Sequence, residues 1–140
     1  MIIDTSALVA ILGDEPERKG FTLAIEQAES CAMSVVSFVE ASMVIEARHG
    51  ADGRRDLDLL IAKAQIELAP VDVDQALVAR EAFRQYGKGR HPAGLNLGDC
   101  FVYALAKVLN QPLLCKGRDF IRTDLNTHLT WRGSGSLPES

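Results

Sequence analysis

A chain of 140 residues can close one hydrophobic core but is short for two of ordinary size. With 47% hydrophobic and 24% charged residues it matches a folded globular domain, which excludes intrinsic disorder, and no run approaches the ~18 to 20 apolar residues of a membrane span. A formal charge of -4 and a pI near 5.3 exclude a protein that coats nucleic acid by bulk charge, while leaving room for a locally basic path.

Met1-Ile2-Ile3 is a short apolar run that ends at an acid, as expected of a buried parallel strand delivering Asp4 to its carboxyl end. The segment lacks a basic start and carries Asp4 inside the apolar run, so it is not read as a signal peptide. Ser6 can cap a helix through Leu8, Val9, Ile11 and Leu12 to Gly13. Pro16 suits the first turn of a second helix carrying Phe21, Ala24 and Ile25, and a short strand is expected around Cys31-Ala32-Met33.

From Ser37, the apolar positions Val39, Met43 and Ala47 recur every four residues and predict a helix ending near His49-Gly50. Leu57, Leu60, Ile61 and Ala64 define another helix, 66–71 a strand, and 76–86 a further helix. The stretch 87–94, Gly-Lys-Gly-Arg-His-Pro-Ala-Gly, breaks all periodicity and reads as a loop. Phe101, Ala104, Leu105 and Val108 mark a helix beginning near Asn96; Pro112 to Cys115 reads as a buried strand, and a last strand is expected around Leu129-Thr130-Trp131. Strands alternating with helices imply an α/β fold, one domain over 1–131 with a mainly parallel central sheet. The Gly- and Ser-rich end, 132–140, reads as a flexible tail.

Cys31, Cys100 and Cys115 are an odd number at wide spacing with no C-x-x-C pair, which fits reduced thiols in a cytoplasmic protein better than a zinc or redox site. The chemistry-bearing residues are instead acids. Asp4 follows the first strand, Glu40 lies early in a helix, Asp99 lies at a helix start after the long loop, and Asp119 follows the fourth strand. Open parallel sheets gather ligands at the carboxyl ends of their strands, where these acids can converge. Like charges held together require a cation or raised pKa values, and an all-oxygen donor set suits Mg²⁺ or Mn²⁺.

Each acid also has a structural reading. Glu40, three residues after Ser37, could complete a capping box, as could Asp99 three after Asn96, and Asp119 in Gly-Arg-Asp could be an ordinary turn residue. Glu46 competes with Glu40 on the same predicted helix, but six residues turn the helix by about 600°, so the two side chains point about 120° apart. Glu40, nearer the helix start, is the better candidate.

Four segments in order, Asp4-Thr5-Ser6-Ala7-Leu8, Ser37-Phe38-Val39-Glu40, Leu95-Asn96-Leu97-Gly98-Asp99-Cys100-Phe101 and Lys116-Gly117-Arg118-Asp119-Phe120-Ile121-Arg122-Thr123-Asp124, resemble the signature segments of the VapC branch of PIN domains. The resemblance covers residues 1–131 and implies a single PIN-like domain with helices on both faces of the sheet. It also implies a Mg²⁺- or Mn²⁺-dependent endoribonuclease, the toxin of a type II toxin–antitoxin pair held inactive by a VapB antitoxin. In that family the usual metal ligands correspond to Asp4 and Asp99, the conserved Glu to Glu40 and the fourth acid to Asp119. Asp124 falls in the last motif and could cap the following segment, while Thr5 and Ser6 are placed to orient Asp4.

Lys88, Arg90, His91, Lys116, Arg118 and Arg122 flank the acids in sequence and either form a phosphate-binding rim or are solvated loop charges. The expected partners are RNA as substrate, the antitoxin, and a second copy in a homodimer, with DNA contacted only through the antitoxin. Two other readings stand beside this one. A PIN-like module could dock partners without catalysis, or Asp4 could be the nucleophile of a Mg²⁺-dependent phosphatase, although the haloacid-dehalogenase pattern expects a second Asp where Ser6 stands.

Overall fold

The computed structural model describes residues 1–131; the tail expected over 132–140 lies outside the described residues. Five strands, β1 (Ile2–Ile3), β2 (Cys31–Ser34), β3 (Ile66–Ala69), β4 (Leu113–Lys116) and β5 (Thr127–Trp131), form one sheet in the order β3-β2-β1-β4-β5. All four pairings are parallel, with Ile2 opposite both Ala32 and Leu113. The connections lead outward from β1 to β3 on one side, whereas β4 returns to the other flank of β1. The order therefore reverses between β1 and β4, the place where open α/β sheets leave a crevice.

Side-chain alternation along the central strands explains why helices cover both faces. Ile3, Met33 and Leu114 point into a core shared with α1 (Thr5–Leu12), α2 (Arg18–Gln27) and α3 (Val35–Lys63), where Leu8, Phe21, Ile45 and Leu57 are fully buried. Ile2, Leu113 and Cys115 point the other way, into a core with α4 (Val73–Tyr86) and α5 (Leu97–Leu109) that contains Ala82, Val102 and Leu105. Each fully buried aliphatic side chain contributes about 1.5 to 3 kcal/mol relative to exposure, and both faces of so short a β1 are used in this way. The parallel sheet is the one that the alternating pattern predicts, and the helices on both faces are those that the resemblance implies.

Three local expectations are corrected. Asp4, not Ser6, caps α1, its side chain accepting from the Ser6 backbone N–H. Ser34, not Ser37, caps α3, so Glu40 lies in the second turn and completes no capping box with Ser37, whose hydroxyl is buried. The stripe Val39-Met43-Ala47 faces outward, with Val39 53% and Met43 66% exposed, while Ser37, Ala41 and Ile45 form the buried face. A four-residue repeat of apolar residues fixes a helical period but not which face is inside. Near its middle α3 is interrupted at Gly50, whose φ of 66° and ψ of -154° are accessible to glycine and strained for other residues. The expected break at His49-Gly50 is this kink.

Candidate active site

Asp4 is carried by the backbone pairing of β1 to β4, its N–H donating to the Leu114 carbonyl at 3.0 Å. Its carboxylate Oδ2 accepts from the Ser6 backbone at 3.1 Å and from the Ser6 hydroxyl at 2.5 Å. The same hydroxyl accepts from the Lys116 N–H at 2.9 Å, so the end of β4 holds Ser6 and Ser6 holds Asp4. Because the Lys116 N–H occupies the acceptor side of that hydroxyl, its proton is directed to Asp4. This is the orienting role expected of Ser6, whereas the Thr5 hydroxyl donates to the Ser37 carbonyl at 3.0 Å and ties α1 to α3.

Asp99 sits in the first turn of α5 and completes a reciprocal capping box: Asn96 Oδ1 accepts from the Asp99 N–H at 2.9 Å, and Asp99 Oδ2 accepts from the Asn96 N–H at 3.1 Å. The structural reading of Asp99 is thus real, and one carboxylate oxygen serves it. Glu40, half-buried on α3, lies against the α5 N-terminus, where its carboxylate lies over the Cα of Gly98. Asp119 is exposed at the single 3-10 turn, Phe120–Arg122, that follows β4.

These acids share one electrostatic environment. Burial raises the Asp4 carboxyl above its ordinary range against the opposing Ser6 and Thr5 hydrogen bonds, and the charge of Asp119 raises it further. Glu40 is raised by burial and by Asp4. Asp99 is pushed up to about 6 by burial, with the charges of Asp4, Asp119 and Glu40 adding to it against the Asn96 hydrogen bond. Among the described residues the ion pairs all lie elsewhere: none engages Asp4, Glu40, Asp99 or Asp119. Lys116, whose backbone N–H holds Ser6, pairs through its ammonium with Glu15 and, at 3.4 Å, with Glu17. An acidic cluster lacking a basic partner, partly dry and made of oxygen donors alone, fits a divalent cation. Among the described residues no three acid, Cys or His side chains stand together in ligating geometry, whereas Mg²⁺ is commonly held by one or two carboxylates with water.

The remaining candidates separate. Asp124 accepts from the Tyr103 hydroxyl at 2.6 Å and from Lys107 at 2.7 Å, pinning the segment after β4 to α5. Burial opposes its charge, but these two hydrogen bonds, with the Lys107 charge and a backbone hydrogen bond, together lower its pKa. Glu46 is exposed and is not among the groups that perturb the cluster. Of the rim cations, Arg122 donates to the Pro92 carbonyl at 3.1 Å, Arg90 lies over the Phe83 ring, and His91 Nδ1 accepts from the Ala93 N–H at 3.0 Å. Lys88 and Arg118 are exposed. Cys31, Cys100 and Cys115 are buried and joined in no disulfide, and burial together with the Asp99 charge pushes Cys100 up to about 11. Sequence reasoning missed Gly98 and the Lys116-to-Ser6 link; both depend on contacts between segments far apart in the chain.

A parallel sheet whose order reverses beside β1, with acids collected around that reversal, defines an α/β protein with a polyacid site. The sequence profile of the PIN domain matches residues 1–126. Ribonuclease VapC30 of Mycobacterium tuberculosis is 55% identical over 127 residues, covering 91% of this chain and 97% of that protein. A ribonuclease VapC of Mycolicibacterium smegmatis is 55% identical over 125 residues, covering 89% and 97%. The chain belongs to the PIN-domain family, in its VapC branch. Among solved structures, Mycobacterium tuberculosis VapC20, described as a Sarcin-Ricin loop cleaving toxin, superposes with a TM-score of 0.73 at 13% identity, covering 89% of this chain and 95% of that one. Rickettsia felis VapBC2 bound to a promoter DNA fragment gives 0.70 at 14% identity, covering 94% and 98%; at these identities the likeness is one of fold.

The pH dependence of stability tests the cluster. With a folded-state pKa near 6 against an ordinary 3.8, Asp99 binds more protons folded than unfolded between those values, so its contribution to stability falls as pH rises through that window. In the presence of chelator, lowering the pH from 7 to 5 should raise the urea midpoint of the wild type relative to that of Asp99→Asn. Parallel pH profiles for the two proteins would contradict the raised pKa.

Proposed function

We propose that this chain is the toxin of a type II toxin–antitoxin pair and a Mg²⁺- or Mn²⁺-dependent endoribonuclease. The observation that carries this reading is the group of acids around the α5 N-terminus, unpaired with any base among the described residues. Relatives 55% identical to it are named ribonucleases. Asp4 and Asp99 would hold the ion, each with one oxygen already fixed by Ser6 or Asn96, and Glu40 and Asp119 would complete the site. When bound, such an ion supplies Lewis acidity to the phosphoryl group under attack by water. Glu40, whose carboxyl is shifted toward binding protons, is suited to accept one from that water. Exposed Lys88 and Arg118 can meet RNA phosphates without the protein being basic as a whole.

The acidic site also suits an antitoxin that presents Arg or Lys, and DNA would be reached through that partner. A homodimer is favoured by an apolar groove of about 370 Å³ between α4 and α5, lined by Phe83, Leu97 and Phe101, with Leu97 74% exposed. Docking without catalysis is disfavoured by relatives 55% identical to the chain that are named ribonucleases. A phosphatase with Asp4 as nucleophile is disfavoured because Ser6 stands where that chemistry expects a second Asp.

Asp4→Asn and Asp99→Asn should each lower cleavage of total RNA by orders of magnitude while sparing the metal-free fold. Wild type should gain roughly 2.7 kcal/mol of stability when free Mg²⁺ or Mn²⁺ is about a hundredfold above its dissociation constant, and the variants much less. Melting curves with and without metal, run beside the cleavage assay, check both; full activity in the variants would overturn the assignment. Co-expression with the product of the adjacent reading frame should relieve growth arrest and RNA cleavage, and unchanged arrest would exclude that product as the antitoxin.

A further inference from the structure

We propose that Gly98 is a positioning residue that sets the place of the Glu40 carboxylate by having no side chain. The inference rests on the active-site reading above. A Cβ built on Gly98 would lie 2.2 Å from Glu40 Oε1 and 2.5 Å from both Cδ and Oε2. The whole carboxylate therefore occupies the space that any other residue at position 98 would fill. Gly98 is buried, in the first turn of α5, and directly precedes Asp99. The same absent side chain lets α3 deliver Glu40 from one direction while α5 delivers Asp99 from the other.

Helix geometry does not explain a glycine here. Gly98 is not among the glycines with positive φ, and glycine is a poor helix former compared with alanine. On local grounds alanine is preferred, so the position trades helix propensity for the approach of Glu40. The atoms that alanine would displace are the end of a flexible side chain rather than backbone. The fold can therefore yield cheaply by swinging Glu40 away, and the cost falls on the site.

Gly98→Ala should accordingly separate stability from activity. Its melting temperature in chelator should equal that of wild type or exceed it by about 3 °C. RNA cleavage under single-turnover conditions should fall by roughly 10- to 100-fold, the scale of a misplacement of about 1 Å. Glu40→Asp withdraws the carboxylate by one methylene, clear of the added methyl group, so combining it with Gly98→Ala should lose no more than Glu40→Asp alone. Wild-type cleavage by Gly98→Ala, a lowered melting temperature, or a further loss in the double variant would each overturn the inference. Glu40→Gln distinguishes its failure from that of the site reading: if Glu40→Gln cleaves RNA normally, Glu40 has no catalytic place for Gly98 to secure. If Glu40→Gln is inactive and Gly98→Ala is normal, the site stands and the positioning role falls.

Discussion

Repulsion among carboxylates at the reversal of strand order is the constraint on which the rest of the site depends. Burial and mutual charge both oppose ionisation of Asp4, Glu40 and Asp99, and among the described residues no Lys, Arg or His forms an ion pair with them. Two devices offset part of the cost. The Lys116 N–H and the Ser6 hydroxyl form a relay that holds one oxygen of Asp4, and the Asn96 capping box holds one oxygen of Asp99. Both act through hydrogen bonds, which stabilise charge without neutralising it. The residual repulsion is what a bound cation would relieve.

Asp99 joins a structural role and a proposed functional one in one side chain. Its capping box stabilises α5, while the same geometry aims the first turn of that helix into the acid cluster. The N-terminus of α5, with its positive dipole end, also favours the collected negative charge. Lys116 makes a comparable division: its backbone supports Ser6, while its ammonium is drawn off to Glu15 and Glu17 and leaves the acids unneutralised.

Much of the fold was legible in the sequence because short apolar runs and helical repeats are local signals. The runs ending at Asp4 and Cys115 became neighbouring parallel strands, and the break at Gly50 coincides with a kink that only glycine adopts cheaply. Facing was less legible: Val39 and Met43 repeat correctly but point outward, since burial on α3 is decided by Ala41 and Ile45 meeting the α1 side of the sheet. Caps shifted for a similar reason, as Asp4 and Ser34 precede the residues whose spacing suggested Ser6 and Ser37. Motif order pointed to the four acids, but not to the distant contacts that support them. Gly98 meets Glu40 from another helix, and Lys116 meets Ser6 across 110 positions of chain.

The central claim is that Asp4, Glu40 and Asp99 titrate as one repulsive cluster whose charge is relieved by a divalent ion. Carbon-detected NMR titration of their side-chain carboxyls, in chelator and then in saturating Mg²⁺, tests it most directly. The account predicts that Asp99 titrates near 6 without the ion, with Asp4 and Glu40 also above their ordinary range, and that all three fall on adding it. Three ordinary carboxylates, each titrating near about 4 with or without Mg²⁺, would contradict it.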